Sequence, residues 1–260
     1  MDNGLNSGNV ITVEDISTIL ERYNIGKKPL AKVLGWGETT IIRYLEGDIP
    51  TIEYSERLKL ILSSPIAYLN ILNKNQDKIT GIAYRKSKDA VMKKIMESKI
   101  NVVAQYIINQ RQGKITLMEL QIMLHYIQGF ALGFTGKPMF EDVYYINPEF
   151  LPFERITEQY KLSDFKFMKF DHSLIPQKEL EYIDCIIDSF DWYGIYSLKC
   201  FIADERFQYD ICKDENGKQY ITNATLEKCF KEIIGEYFMQ SYREIYKYAD
   251  AKFNEVRKLS

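Results

Sequence analysis

Histidine, tryptophan and cysteine are scarce in this sequence, which argues against several kinds of site. Among 260 residues there are two histidines, two tryptophans and four cysteines. The cysteines are Cys185, Cys200, Cys212 and Cys229, with 11 to 16 residues between neighbours and no CxxC pair. A tetrahedral zinc site uses closer ligand spacing. We therefore expect no metal site, and reduced thiols such as cytoplasmic proteins keep.

Long apolar segments are also lacking. No stretch approaches the roughly 20 apolar residues that cross a bilayer. The first six residues, from Met1 to Asn6, contain neither a basic region nor an apolar region of the kind found in a signal peptide. The sequence therefore predicts a cytoplasmic protein that has no membrane partner.

Patterns of catalytic residues are absent as well. Asp171, His172 and Ser173 are consecutive, so their side chains cannot converge as a hydrolase triad does. There is no glycine-rich phosphate loop, and His125 lies in an apolar stretch where a core histidine is expected. We expect neither catalysis nor a cofactor, and an enzyme of unrecognised type is the third alternative. Asp184, Asp188 and Asp191 have helical spacing and predict a solvated acidic face or a surface for a partner.

The residues that are present indicate a folded, mainly α-helical chain. Hydrophobic residues make up 46% and charged residues 27% of the sequence. Residues 1–95 contain 14 Lys and Arg against 11 Asp and Glu, whereas the remainder contains 20 against 25. This asymmetry suits one part that faces phosphate and another that faces protein.

Apolar residues at helical spacing recur along almost the whole sequence. The predicted helices lie at about 13–23, 28–34, 38–45, 54–62, 66–72, 79–98, 116–134, 176–190, 194–204 and 224–257. The turn at 214–218 predicts a small β hairpin. We predict a helix-turn-helix domain at 1–78, a connecting helix at 79–98 and a second helical domain at 99–260.

The segment 28–47 predicts a short helix, a turn at Gly35-Trp36-Gly37 and a second short helix. Ala31 is small where the two helices cross, and Leu34 and Ile41 are placed toward a shared core. The residues predicted to point outward to DNA bases are Glu38, Thr39, Thr40, Arg43 and Tyr44, and those predicted to hold phosphate are Lys27, Lys28 and Lys32.

The same segment resembles the Cro/repressor-like (XRE-type) helix-turn-helix family over about residues 12–62. The residues that carry the resemblance run from Leu30-Ala31 through Leu34-Gly35-Trp36 to Arg43-Tyr44 and Gly47. The resemblance implies that this domain binds double-stranded operator DNA, commonly as a homodimer on paired half-sites.

A second motif lies at residues 113–140, where Thr116 is placed to cap a long apolar helix. Gly129 and Gly133, four residues apart, would let a neighbouring helix approach closely. The string resembles the Panacea domain of SocA-like and phage-associated antitoxins. Matching residues include Ile115, Thr116, Leu132 and Thr135-Gly136-Lys137-Pro138, together with six motif residues predicted to bind the partner: Leu120, Gln121, Leu124, Tyr126, Gln128 and Gly129.

The second resemblance implies a function. Panacea proteins act as antitoxins that neutralise a cognate toxin by direct binding or deliver it to a protease. We therefore predict the antitoxin of a type II toxin–antitoxin pair, whose toxin is the adjacent gene product and whose helix-turn-helix represses the operon. The alternative is a stand-alone, phage-related transcriptional regulator with a protein-interaction or dimerisation domain.

Overall fold

The computed structural model describes residues 10–161, 171–204 and 210–259. It is mainly helical, with a small three-stranded antiparallel sheet, so the predicted fold class is confirmed. The chain divides into two compact units, unit 1 (Met1–Glu97) and unit 2 (Ser98–Ser260).

Unit 1 is a bundle of short helices. Its helices are α1 (Val13–Arg22), α2 (Lys27–Leu34), α3 (Thr40–Leu45), α4 (Ile52–Ser63), α5 (Pro65–Lys74) and α6 (Gly81–Ile95). Helix α3 packs against α1 and α2, whereas α4 packs against α1 and α5. Tyr23 at the end of α1 stacks on Tyr68 at 3.9 Å and donates a hydrogen bond to the carbonyl of Ile61 at 2.6 Å. These contacts join three helices around one core.

Local signals set the ends of these helices. Thr12 and Asp15 form a reciprocal capping box at the start of α1. Gly35 adopts a left-handed conformation with φ of 78° and ends α2.

Helix α6 belongs to unit 1 and packs against α5, although the sequence predicted residues 79–98 as a connecting helix. The buried hydroxyls of Tyr68 and Ser87 form a hydrogen bond of 2.5 Å between these two helices. Val91 and Ile95 are also buried. The predicted boundary at residue 78 was therefore too early, because one side of α6 is apolar and completes the core of unit 1.

Unit 2 is built around one long helix. Its helices are α7 (Lys99–Gln110), α8 (Leu117–Thr135), α9 (Glu154–Tyr160), α10 (Gln177–Phe190), α11 (Ile195–Asp204), α12 (Asn223–Glu236) and α13 (Tyr246–Leu259). Helix α8 packs against α7, α9, α10, α11 and α12, and every residue from Leu120 to Leu132 is buried. A helix that is apolar on all sides forms the centre of a unit.

The small sheet of unit 2 contains strands β1 (Tyr144–Tyr145), β2 (Cys212–Lys213) and β3 (Gln219–Ile221) in the order β1-β3-β2. The hairpin of β2 and β3 turns at the predicted glycine, Gly217, whose φ is 79°. Strand β1 was not predicted, because two residues carry no periodic signal.

The predicted helix at 224–257 is wrong as a single element. It is two helices, α12 and α13, separated by a connection in which Phe238 has φ of 50° and residues Tyr242–Glu244 form a 3-10 turn. The break lets α13 pack against α10 and α11. In the part of the chain that the structure describes, no helix is both long and apolar enough to cross a lipid bilayer.

Candidate functional site

The first candidate site is the pair of helices α2 and α3 in unit 1. Ala31 is fully buried at their contact, and Leu34 and Ile41 lie in the same core. The N–H of Trp36 donates to the carbonyl of Ala31 at 2.8 Å, which closes the turn after α2. Two short helices joined by a glycine-containing turn are therefore packed on a shared core.

Helix α3 begins later than the sequence predicted. Its six residues start at Thr40, with Thr39 at the N-cap position, because the N–H of Thr40 bonds to the carbonyl of Gly37 in a turn. Glu38 and Thr39 consequently lie in this turn, where both are exposed, whereas Thr40 is half-buried. The start of the predicted recognition helix is thus a polar turn followed by a short helix.

The cations of α2 lie next to a carboxylate. Lys27 and Lys28 are exposed and Lys32 is half-buried. Glu38 pairs with Lys32 at 2.9 Å and lies 3.8 Å from Lys28. The hydrogen bond and the charge of Lys32 hold the pKa of Glu38 below its ordinary value. These exposed pairs are weak, so phosphate can compete with Glu38 for the lysines.

Arg43 is the exposed cation of α3. Its Nε atom pairs with Asp48 at 2.7 Å, and its side chain is 66% exposed. The backbone N–H of Asp48 also donates to the carbonyl of Arg43, so the loop after α3 folds back on this residue. Because the pair is exposed to solvent, the guanidinium can exchange Asp48 for a phosphate or a base edge at small cost.

Tyr44 is not an exposed contact, which corrects the sequence prediction. Only 8% of it is exposed, and its ring lies 6.4 Å from that of Tyr54, which in turn meets Trp36 edge-on at 4.3 Å. Burial raises the pKa of its hydroxyl. Tyr44 follows Ile41 by three residues and therefore shares its inward face of α3.

Helix α6 adds a basic surface to unit 1. Arg85, Lys86 and Lys93 are exposed, and Asp89 is the one carboxylate within Gly81–Ile95. The spacing of these four residues places them on one side of the helix. This surface raises the positive potential of unit 1 beyond the lysines of α2.

The second candidate site is the set of six motif residues of α8 in unit 2, which were predicted to bind a partner. All six are buried: Leu120, Gln121, Leu124, Tyr126, Gln128 and Gly129. As partner contacts of the folded protein they were predicted wrongly, because each faces another element of unit 2.

Gln121 holds the start of α9 with its side-chain amide. Its Nε2 atom donates to the carbonyl of Phe153 at 2.9 Å, and its Oε1 atom accepts from the N–H of Phe153 at 3.1 Å. A further hydrogen bond joins Nε2 to the hydroxyl of Thr157. The side-chain amide of Gln121 thus provides hydrogen-bond partners for the backbone C=O and N–H of Phe153, which lies outside regular secondary structure.

Gln128, seven residues later in α8, likewise binds backbone groups of another segment with its side-chain amide. Its Oε1 atom accepts from the N–H groups of Met139 and Phe140 at 2.9 and 3.2 Å, and its Nε2 atom donates to the carbonyl of Phe140 at 2.9 Å. The side chain of Asn223, the first residue of α12, also accepts from Nε2. Buried backbone groups require such partners, so both glutamines hold the chain after α8 in place.

The remaining motif residues pack the core. Tyr126 stacks on Phe190 with 3.9 Å between ring centroids, joining α8 to α10. A Cβ atom on Gly129 would lie 2.1 Å from the ring of Phe230, and one on Gly133 would lie 2.9 Å from its Cβ atom. The predicted close approach of a neighbouring helix is confirmed, and that helix is α12.

His125, Asp171 and Ser173, which were considered as catalytic candidates from the sequence, have core or local hydrogen-bond partners. His125 is buried, and its Nδ1 atom lies 3.0 Å from the hydroxyl of Tyr144, as expected for a core histidine. Asp171 accepts from the N–H and the hydroxyl of Ser173 and so caps a short turn. Among the residues that the structure describes, no three His, Cys, Asp or Glu side chains lie close enough together to hold a metal ion.

Two exposed aromatic side chains of unit 2 were not predicted as site residues from the sequence. Trp192 is 88% exposed and Tyr196 is 74% exposed. Their position directly after the acidic helix α10 was the available signal, since a solvated helix end seldom needs two large rings.

Comparison of the chain with models of known protein families, with curated proteins and with solved structures finds no match. The helix-turn-helix and Panacea resemblances therefore depend on the sequence motifs alone.

Proposed function

We propose that this chain is a non-catalytic bacterial regulator, the antitoxin of a type II toxin–antitoxin pair, in which unit 1 binds operator DNA and unit 2 binds the toxin. The observation that carries the proposal is the α2–α3 pair. There Leu34 and Ile41 are buried in a core, whereas Lys27, Lys28, Thr39 and Arg43 are exposed.

Unit 1 supplies the chemistry of a DNA reader. Lysines at the start of α2 contact phosphate and fix the position of the protein on the duplex. Thr39, Thr40 and Arg43 reach base edges in the major groove, where arginine forms two hydrogen bonds with guanine. The basic side of α6 adds electrostatic attraction that does not depend on sequence. A homodimer that reads two half-sites is the arrangement we expect.

Unit 2 supplies protein binding rather than catalysis in this proposal. Its motif residues are used inside the fold, so a partner contacts other, exposed residues. A cytoplasmic antitoxin requires no catalytic group, since direct binding of the toxin is sufficient for neutralisation. The adjacent gene product is the proposed partner.

A growth assay tests the antitoxin function. The adjacent gene is induced alone, with this chain, and with a copy of the gene that carries an early stop codon, which separates the protein from its messenger RNA. We expect toxicity that only the intact protein relieves. A harmless neighbour, or toxicity that this chain does not relieve, would contradict the antitoxin function.

The stand-alone regulator is the second candidate, and the exposed cations of α2 and α3 favour it equally, since they require no toxin. Fluorescence anisotropy with the duplex from the chain's own promoter and with a scrambled duplex tests DNA binding. Promoter binding together with a harmless neighbour would favour this second candidate. If the chain binds the promoter duplex no more tightly than the scrambled duplex at any salt concentration, operator recognition is contradicted for both candidate functions.

A further inference from the structure

The outer side of α10 and the start of α11 form a surface that combines carboxylates with exposed aromatic rings. Glu181, Asp184 and Asp188 are separated by three and four residues, and Trp192 follows Asp188 by four. The spacing of the three carboxylates places them along one side of α10, whereas Trp192 lies in the turn two residues after Phe190, the last residue of α10. Together with Tyr196 in the first turn of α11, we name these residues the acidic–aromatic face.

The exposure of Trp192 is held by its neighbours. Before it, Asp191 forms an ion pair with Arg111. After it, the hydroxyl of Tyr193 donates to Asp250 at 2.8 Å, and its ring lies 4.9 Å from that of Phe253. Because both flanking side chains are bound to unit 2, the indole projects outward from a fixed backbone. Binding of the indole therefore costs the rotamer freedom of one side chain but little backbone freedom.

The carboxylates of the face give it a negative potential. The hydroxyl of Tyr106 donates to Asp184 at 2.5 Å and fixes the position of that carboxylate. Burial raises the pKa of the Cys185 thiol, and the charges of Asp188, Asp184 and Glu181 raise it further, against the opposing effect of Arg243. The face also contains one cation, Arg243, which pairs with Glu181 at 3.6 Å.

Large exposed aromatic side chains surrounded by polar residues are typical of protein-binding surfaces, and tryptophan is the residue most enriched among those that dominate binding energy. Carboxylates around such a ring favour a partner that carries Lys and Arg at the rim of its own surface. The chemistry of the face thus specifies its occupant: an apolar pocket for the indole, bordered by cations.

We infer that the acidic–aromatic face is the surface through which unit 2 binds its partner protein, and that this partner presents a basic surface with an apolar pocket for Trp192. The inference rests on the proposed function, because it names the toxin-binding surface of the same unit. It replaces the buried motif residues of α8 as the contact region.

Binding of the purified adjacent gene product to immobilised full-length chain tests the inference. Trp192→Ala should weaken binding by at least about 30-fold, as loss of a central aromatic side chain does. Trp192→Phe should retain most of the affinity, since a ring still fills the pocket. Asp188→Lys should slow association and reduce its dependence on salt. Phe238→Ala is the matched control, because Phe238 is 78% exposed and lies in the α12–α13 connection.

The outcomes separate this inference from the proposed function. If the parent chain does not bind the adjacent gene product, the proposed function fails and the inference fails with it. If the parent binds and both Trp192→Ala and Asp188→Lys bind equally well, the inference alone is wrong. Light scattering of the same variants tests whether the face joins two copies of the chain instead. If the parent is a dimer that Trp192→Ala dissociates, and the affinity for the partner is unchanged, the face is a self-association surface and the inference is overturned.

Discussion

The two units use their motif residues in opposite ways. In unit 1, the segment that resembles a known family also contains the exposed residues of the candidate site, such as Lys28, Thr39 and Arg43. In unit 2, the six motif residues of α8 are buried, although they are the residues predicted to bind a partner. A motif in the first unit therefore points to a surface, and a motif in the second points to a core.

The difference follows from how each helix is covered. Helix α3 has six residues and turns Ile41 and Tyr44 inward, which leaves Arg43 on its outer side. Helix α8 is covered by neighbours on all sides, so it has no exposed side between Leu120 and Leu132. We therefore expect a partner of unit 2 to contact residues outside the stretch from Leu120 to Leu132, and DNA to contact exposed residues of α2 and α3.

The largest effect is expected from adding one carbon to the centre of unit 2. Gly129→Ala places a Cβ atom 2.1 Å from the ring of Phe230, which is fully buried beside Phe130. Because the ring cannot move aside, we expect a loss of at least about 3 kcal/mol in the free energy of unfolding, measured by urea denaturation.

Gly235→Ala is the control, since Gly235 is exposed in α12 and an added Cβ atom has open space. It should stabilise the protein by about 0.5–1 kcal/mol, the ordinary gain of alanine over glycine in a helix. If Gly129→Ala is as stable as the parent, the contrast between the two units fails, because the motif residues of α8 would then not be needed for the fold.

A smaller loss is expected from Gln128→Leu. The variant removes hydrogen bonds to the N–H groups of Met139 and Phe140 and to the carbonyl of Phe140. Buried groups left without a partner cost about 1–3 kcal/mol each and are not additive, so we expect a loss of about 2–4 kcal/mol in urea denaturation. Gln177→Leu, at the exposed start of α10, should stay within about 0.5 kcal/mol of the parent. If Gln128→Leu also changes the free energy of unfolding by no more than the control, Gln128 is dispensable for the fold.

In unit 1, the double variant Lys28→Ala/Arg43→Ala should leave stability unchanged and weaken DNA binding. Each lost phosphate contact lowers the slope of log K against log salt by about 0.9, so we expect a change of up to about 2 with roughly tenfold weaker binding at low salt. Lys178→Ala/Lys228→Ala in unit 2 is the matched control. Relief of toxicity should be retained by both double variants. Parental DNA affinity of the first variant would contradict the assignment of α2 and α3.

The smallest effect is expected from Glu38→Gln. The change releases Lys32 and Lys28 from their carboxylate and should raise the affinity for generic duplex DNA by about two- to fivefold at low salt. Because Lys32 lowers the pKa of Glu38, the carboxylate of the parent is ionised at neutral pH, where the two affinities are compared. An unchanged generic affinity, with altered preference at one base pair, would instead make Glu38 a base contact.

Local signals predicted much of the fold. Capping residues such as Thr12 and Thr116, the glycine that ends α2 and the turn at Gly217 act within a few residues of their position in the chain. The start of α3 and the break between α12 and α13 were predicted wrongly, because turn formation at Gly37 and packing against α10 decided them.

The candidate sites were predictable only where the contacts are local. The exposed cations of α2 follow from helical periodicity. Gln121, by contrast, donates a hydrogen bond to Phe153, which is 32 residues away in the sequence. No pattern in the sequence distinguishes such a buried amide from an exposed one that binds another protein. Tyr44 was placed outward for a related reason, because its burial depends on Tyr54 in another helix.

The chain's two tryptophans report on the two units separately, with Trp36 between α2 and α3 and Trp192 on the acidic–aromatic face. Fluorine NMR of full-length chain labelled with fluorotryptophan therefore tests the division of function most directly. We predict that promoter duplex shifts the Trp36 resonance alone and that the adjacent gene product shifts the Trp192 resonance alone. A gene product that shifts Trp36 and leaves Trp192 unchanged would contradict the assignment of DNA binding to unit 1 and partner binding to unit 2.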